Sequence, residues 1–158
     1  MHLEDYEIGL KVELGSHSFT AEEIVRFASK YDPQPFHLSE EGGRAGPFKG
    51  LAASGWHTCA VWMKLMIAFQ IRTAKERMTA GLPVGRAGPS PGFEKLKWKR
   101  PVYAGDTLTY FAEAIEARPS EKRPAWGVLR AHNTALNQEG VEVFEFTSAV
   151  LVERRPTT

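Results

Sequence analysis

Apolar and polar residues follow two different periods along this chain. From residue 93 onward they alternate with a period of two, which predicts about four β-strands, near 93–98, 108–114, 128–132 and 141–152. Turn-forming residues separate these segments. A looser alternation over residues 11–19 predicts one further strand near the start of the chain. The pattern therefore indicates an antiparallel sheet of about five strands.

The first half of the chain carries helical signals instead. Thr20-Ala21-Glu22-Glu23 forms a capping box, in which the Thr20 hydroxyl accepts from the amide of residue 23 while Glu23 reaches back. The helix that it opens should end near Lys30, because Asp32 precedes a proline. Ser39 can cap one further helical turn, which Gly42-Gly43 would end.

Residues 55–76 are apolar nearly all the way round a helix. Such a helix either crosses a membrane or is surrounded by other structure. The stretch is too short for a membrane span, and Lys64 and Gln70 interrupt it. We therefore predict a buried central helix, and an α+β fold in which a curled antiparallel sheet wraps around it.

Composition indicates an ordinary single domain over residues 1–158, with 42% hydrophobic and 25% charged residues. A formal charge of +1 gives no reason to expect nucleic acid or a membrane as a partner. Cys59 is the only cysteine, which excludes an intrachain disulfide and a thiolate metal cluster. The first ten residues are polar and acidic, unlike a signal peptide, and we expect a cytoplasmic protein.

The candidate chemistry lies in a segment stiffened by Pro33 and Pro35, where Asp32 and His37 stand five residues apart. Proline restricts its own φ and pushes the preceding residue toward extended conformations, so Asp32 and Gln34 should lie outside regular helix. Rigid loops that present ionisable groups are frequent sites of catalysis. From the residues alone, however, Asp32 can also initiate a turn and His37 can be a buried structural histidine.

Three segments resemble the MaoC-like hydratases, the R-specific enoyl-CoA hydratase group. Asp32-Pro33-Gln34-Pro35-Phe36-His37 is similar to the D-x-N-P-x-H signature of that family. Gly50 to Trp56 lies where the family has the glycine-containing start of its central helix, and Trp98 to Leu108 resembles its later P-V-x-x-G-D-T-L segment. Two residues depart from the pattern: Gln34 stands where Asn is usual, and Ser54 where many hydratases have His.

The resemblance implies a hotdog fold, in which an antiparallel sheet embraces a long helix, and a homodimer or higher homo-oligomer. It implies an acyl thioester of coenzyme A or acyl carrier protein as the substrate, without a metal or redox cofactor. Asp32 and His37 would hold one water, with Asp32 as the base, and the Gly55 amide at the helix start would hold the charge on the thioester carbonyl oxygen. The residues expected to contact the substrate are Gln34, Phe36, Ser54 and Trp56.

Each of these interpretations has an alternative. Ser54 can be a plain helix cap. The same fold could instead hydrolyse thioesters, with Asp32 activating water against the carbonyl carbon, or bind acyl thioesters without turnover. A basic cluster formed by Lys95, Lys97, Lys99 and Arg100 is either a solvated face or a site for the phosphates of coenzyme A.

Overall fold

The computed structural model describes residues 1–156 and confirms the α+β hotdog fold. Within these residues the elements are a 3₁₀ turn (Leu3–Asp5), then β1 (Lys11–Ser18), α1 (Ala21–Tyr31), α2 (Pro35–Leu38), α3 (Glu40–Ala45), α4 (Gly55–Thr79), β2 (Gly92–Trp98), β3 (Thr107–Pro119), β4 (Trp126–Leu136) and β5 (Glu142–Glu153). The strands form one antiparallel sheet in the order β1-β3-β4-β5-β2. The predicted strand segments are thus confirmed, and β1 and β2 form the two edges.

The edge strand β2 is irregular. Its pairing with β5 shifts between Glu94 and Lys97, and Lys95 within this bulge has a φ of 58°. A bulge bends a strand and increases its twist. The bend precedes Trp98, the last residue of β2, which reaches the start of α4.

Helix α1 begins and ends close to the predicted positions, but its capping box is only half formed. The Glu23 amide donates to the Thr20 hydroxyl (3.2 Å), as predicted. The Glu23 carboxylate, however, lies 2.8 Å from the Nε2 atom of His17 on β1 instead of bonding the cap backbone. An ionisable partner on a neighbouring strand has replaced the local contact. The helix ends at Tyr31, and Asp32 is its C-terminal cap.

Two short helices follow, and both correct the prediction. His37 lies on the one-turn helix α2, which Pro35 starts, and not on an irregular loop. Helix α3 is capped by Ser39 as predicted, but it continues through both glycines to Ala45. The glycines serve close packing: a Cβ atom would lie 2.2 Å from the Pro35 carbonyl oxygen at Gly42, and 2.3 Å from the Gly50 backbone at Gly43.

The central helix α4 is 25 residues long, and only its first turns are buried within one chain. One side packs on the sheet through residues such as Val61 and Trp62. The prediction that other structure surrounds this helix is therefore wrong for the part of α4 after its first turns, because the one sheet covers only one side of the helix. Large apolar side chains stay exposed on the other side: Met63 at 49%, Ile67 at 45%, Ile71 at 65% and Met78 at 70%.

The main core lies between α4 and the sheet, with Tyr110, Phe144 and Leu108 fully buried. Two buried hydrogen bonds join helix and sheet: the Trp62 indole donates to the Asn133 side chain (3.2 Å), and the Tyr110 hydroxyl donates to the Thr58 carbonyl oxygen (3.1 Å). No helix within residues 1–156 has the length and apolarity needed to cross a membrane.

Candidate functional site

A cavity of about 500 Å³ opens where four parts of the fold meet. These are the α1–α2 junction, the start of α4, the end of β2 with the segment after it, and the start of β5. Among the residues that line it are Asp32, Gln34, Phe36, His37, Gly55, Trp56, Trp98 and Arg100. The cavity thus brings together six of the seven residues proposed from the sequence. The seventh, Ser54, does not line the cavity but donates a hydrogen bond to Asp32, which does.

Asp32 and His37 face each other in this cavity. The Nε2 atom of His37 lies 3.4 Å from the Oδ2 atom of Asp32, and His37 is only 5% exposed. The Nδ1 atom of His37 lies 2.6 Å from the carbonyl oxygen of Ala52. Because a carbonyl oxygen can only accept, Nδ1 must carry a hydrogen, which leaves Nε2 as the ring nitrogen that faces Asp32.

Both carboxylate oxygens of Asp32 accept a hydrogen bond. The Ser54 hydroxyl donates to Oδ2 (2.7 Å), and the Gln34 side-chain amide donates to Oδ1 (2.7 Å). Partial burial raises the pKa of Asp32, but these two hydrogen bonds and the neighbouring His37 imidazole outweigh it, so the net pKa lies below that of an ordinary aspartate. Asp32 is therefore an anion throughout the neutral range.

The two residues that depart from the family pattern, Gln34 and Ser54, thus contact the same side chain. Gln34 and Ser54 each hold one oxygen of Asp32 and fix its orientation toward His37. Ser54 also caps α4, as its hydroxyl accepts from the Trp56 amide (3.2 Å). The cap alternative for Ser54 and its contact with the site therefore coexist.

Gly55 begins α4 beside this pair, and its N–H has no acceptor within residues 1–156. The indole of Trp98 lies directly against it. A Cβ atom at position 55 would come within 2.3 Å of the Trp98 ring, and the indole N–H donates to the Gly55 carbonyl oxygen (3.1 Å). The space left by the absent side chain is thus filled by Trp98, a residue that belongs to a motif but was not predicted to lie in the site.

The segment before α4 pairs with the segment after β2. The Ala53 amide donates to the Val102 carbonyl (2.7 Å), and the Ala104 amide donates to the Leu51 carbonyl (3.1 Å). Ala52 lies between these two bonds and accepts from His37. The motif at residues 98–108 therefore supports the carbonyl that orients His37.

Aromatic rings complete the walls. Phe36 packs edge-on against His37 with ring centres 4.6 Å apart, and also against Phe48 (5.2 Å). Trp56 is 51% exposed and meets Trp98 edge-on at 5.2 Å. The sequence did not predict Phe48 as part of this wall, and it placed Trp98 in a motif without placing it in the site.

Two further residues of α4 serve packing. His57 is 4% exposed and stacks on Phe27 with ring centres 4.5 Å apart. Cys59 is half-buried, and burial raises the pKa of its thiol to about 11, which keeps it protonated. Within residues 1–156, no group of three or more His, Cys, Asp or Glu side chains is arranged to hold a metal ion.

Comparisons with known proteins identify the family of this chain. A family model described as "MaoC like domain" matches residues 5–125. The chain is 31% identical over 154 residues to "Uncharacterized protein YdeM" of Bacillus subtilis (strain 168), covering 98% of this chain and 100% of that protein.

Solved structures have the same fold. The crystal structure of a MaoC-like dehydratase from Rhodospirillum rubrum is similar with a TM-score of 0.78 and 36% identity, over 99% of both chains. The (R)-hydratase from A. caviae involved in PHA biosynthesis shares the fold, with a TM-score of 0.65 and 20% identity over 97% of this chain and 99% of that one. Because the family model spans more than half of the chain and the Asp32–His37 motif lies inside it, this chain belongs to the MaoC-like dehydratase family.

Proposed function

We propose that this protein is a hydro-lyase that adds water to the C2–C3 double bond of an enoyl thioester, and removes water from the 3-hydroxyacyl thioester in reverse. The observation that carries the proposal is the pair of Asp32 and His37, 3.4 Å apart in a cavity at the N-terminus of α4. Membership of a dehydratase family supports the reaction type.

Asp32 and His37 have complementary roles in this reaction. A water in the cavity donates one hydrogen to the anionic Asp32, which takes that proton as the water oxygen attacks C3. His37, protonated at Nε2, gives its proton to C2, and its Nδ1–H stays on the Ala52 carbonyl throughout. The proton then passes from Asp32 to Nε2 across the gap between them, which restores the starting state. Such acid and base groups contribute about 10²–10⁴-fold each.

The enolate-like charge on the thioester oxygen needs a hydrogen-bond donor, and the N–H of Gly55 would supply it. It lies in the first turn of a 25-residue helix, where unpaired N–H groups and the helix dipole favour negative charge. Losing one oxyanion donor in other enzymes costs about 3–4 kcal/mol of transition-state stabilisation.

The test is turnover of crotonyl-CoA, followed as loss of the enone absorbance. Asp32→Asn and His37→Ala should each lower kcat by at least about 10²-fold, while far-UV circular dichroism shows that the fold stays intact. His132→Ala is the matched control, because His132 pairs with Glu145 on the sheet surface and does not line the cavity. Full activity in either site variant would refute the mechanism, and release of free thiol from butyryl-CoA would identify a thioesterase instead.

We also propose that the protein is a homodimer or higher homo-oligomer. The support is the row of exposed apolar side chains on α4, with Met63, Ile67 and Ile71 between 45% and 65% exposed. Contiguous apolar surface of this kind marks interaction sites on soluble proteins. Light scattering coupled to size exclusion measures the oligomeric state directly.

A further inference from the structure

A second group of titratable side chains lies outside the cavity, where β1, α1 and α4 meet. The Oε1 atom of Glu23 on α1 lies 2.8 Å from the Nε2 atom of His17 on β1 and 3.6 Å from the Nε2 atom of His57 on α4. The three side chains are at most 23% exposed, and none of them lines the cavity. One carboxylate oxygen therefore faces two imidazoles that belong to two other elements of the fold.

The two imidazoles compete unequally for this carboxylate. The contact with His17 has the length of a hydrogen bond, whereas the contact with His57 is longer than a hydrogen bond. A carboxylate carries one negative charge, so it can neutralise only one imidazolium. A proton on His17 is thus matched by Glu23, and a second proton on His57 is not.

The surroundings of His57 disfavour its charged form. Its ring is stacked on Phe27 with ring centres 4.5 Å apart, and it meets Phe19 edge-on at 5.0 Å. Its Nδ1 atom is buried without a hydrogen-bond partner among residues 1–156. A neutral imidazole can place its one hydrogen on Nε2, toward Glu23. A second hydrogen, on Nδ1, would be a buried donor without an acceptor, which is unfavourable.

The net electrostatic effect on His57 has the same sign. Burial, the largest cause, lowers the pKa of His57, and the Glu23 carboxylate partly opposes it. The charges of His17 and Arg26 lower this pKa further, so it lies below that of an ordinary histidine. On β3, the Tyr110 hydroxyl donates to the backbone of α4 beside His57, and burial raises the pKa of this phenol, so it adds no charge. His57 is therefore neutral at neutral pH and takes up a proton only in acid.

These three side chains connect the two helices that hold the site. Helix α1, which carries Glu23, ends at Asp32, and His57 follows Gly55 by two residues on α4. The hydrogen bond from the Ser54 hydroxyl to Asp32 (2.7 Å) joins the ends of the same two helices. A shift of α1 relative to the start of α4 would therefore stretch that bond and move Asp32 in the cavity.

We propose that His17, Glu23 and His57 form a pH-sensitive latch, which holds α1 against the start of α4 while His57 is neutral and loosens when His57 takes up a proton. An imidazolium at this position can regain hydration only by leaving its apolar contacts, and α1 supplies one of them through Phe27. The latch itself does not depend on the reaction. Its effect on turnover rests on the proposed function.

Acid should weaken the latch. A histidine in the unfolded chain has a pKa of about 6.5, and His57 has a lower pKa in the folded protein, so the unfolded state binds more protons between these two values. The stabilisation that neutral His57 provides is therefore complete above the unfolded pKa and is lost as the pH falls toward the folded pKa.

The first experiment follows the protonation of His57 directly. NMR titration of the histidine ring signals, assigned by comparison with His57→Phe, should place the pKa of His57 below about 6.5. His17→Gln leaves Glu23 free for His57 and should raise that pKa, whereas the control His132→Gln, on the sheet surface, should leave it unchanged. A His57 that titrates at or above the ordinary value, or whose pKa does not rise in His17→Gln, overturns the proposal.

The second experiment measures what the proton does to the fold. In urea unfolding between about pH 5 and 8, the unfolding constant should rise with acid more steeply in the unmodified protein than in His57→Phe, by up to about tenfold per pH unit, the limit for one proton. The backbone amide NMR signals of Asp32 and Gly55 should shift along with the His57 titration, and His57→Phe should lose that component. Equal slopes in both proteins, or amide signals that do not follow His57, overturn the proposal.

Two features keep these tests decisive. His57→Gln, which also cannot titrate, replaces His57→Phe in both experiments if the larger ring prevents folding. None of the measurements uses a substrate. A protein that shows the latch but hydrates no crotonyl-CoA at any pH would refute the proposed function and leave the latch standing, and hydration without the pH linkage would do the reverse.

Discussion

Replacing Gly55 with alanine tests the contact between α4 and Trp98. A Cβ atom at position 55 would lie 2.3, 2.6 and 2.7 Å from three atoms of the indole ring, far inside van der Waals contact. Because Trp98 is 44% exposed, the ring has room to move outward and need not strain the backbone. The collision should therefore displace the indole while α4 stays in place.

The size of the effect follows from the contacts that the indole would lose. Its hydrogen bond to the Gly55 carbonyl contributes about 1 kcal/mol, and its edge-on contact with Trp56 contributes about 0.5–1.5 kcal/mol. Alanine gains up to about 1 kcal/mol over glycine inside a helix, and less at the first position. The Gly55→Ala variant should therefore be less stable by about 1–2 kcal/mol.

A double-mutant cycle isolates this contact. In a Trp98→Ala background the ring is gone, so Gly55→Ala should be neutral or slightly stabilising, and the coupling energy should equal the lost contacts, about 1.5–2.5 kcal/mol. Urea unfolding followed by far-UV circular dichroism measures all four proteins. Gly50→Ala serves as the control glycine, because its Cβ would meet only the Tyr103 ring at an ordinary 3.4 Å. If Gly55→Ala costs the same with and without Trp98, the steric reasoning is wrong.

Three other predictions follow from the structure. Ser54→Ala removes a hydrogen-bond donor from Asp32, so the lowered pKa of Asp32 should rise toward its usual value. In the proposed mechanism activity needs the Asp32 anion and is lost as the pH falls through this pKa. The acid limb of the kcat/KM profile should therefore move to higher pH. An unmoved acid limb would contradict this. Gly43→Ala should destabilise the fold by about 1–3 kcal/mol in thermal unfolding, because its Cβ would overlap the Gly50 backbone, and a melting temperature equal to that of the unmodified protein would refute it. Ile67→Glu should shift the protein to monomer in light scattering, and an unaffected oligomer would place the interface elsewhere.

Local signals in the sequence predicted most of the fold. Period-two alternation found the strands, and the Thr20 cap and the proline after Asp32 bounded α1 to within one residue. What they missed depends on contacts between distant residues. Gly42-Gly43 resembles a helix end, but α3 continues because each glycine meets a neighbouring backbone.

The candidate site was predictable only in its local part. The spacing of Asp32 and His37 identified the pair. Helix α1 ends before Asp32 and the single turn of α2 carries His37, so five residues bring the two side chains to the same cavity. Trp98 and Arg100 could not be placed there from pattern alone, since β2 must first bend at its bulge and pair with β5. The direction of Ser54 toward Asp32 likewise depends on tertiary packing.

Backbone pairing between residues 51–53 and 102–104 holds two of the sequence motifs together. His37 is oriented by the Ala52 carbonyl, whose position depends on a segment about 50 residues later in the chain. Changes near Val102 can therefore tilt the imidazole of His37 without touching Asp32 or His37, which under the proposed mechanism would slow proton transfer. Under the proposed function, substitutions in residues 102–104 should therefore be treated as changes to the site itself.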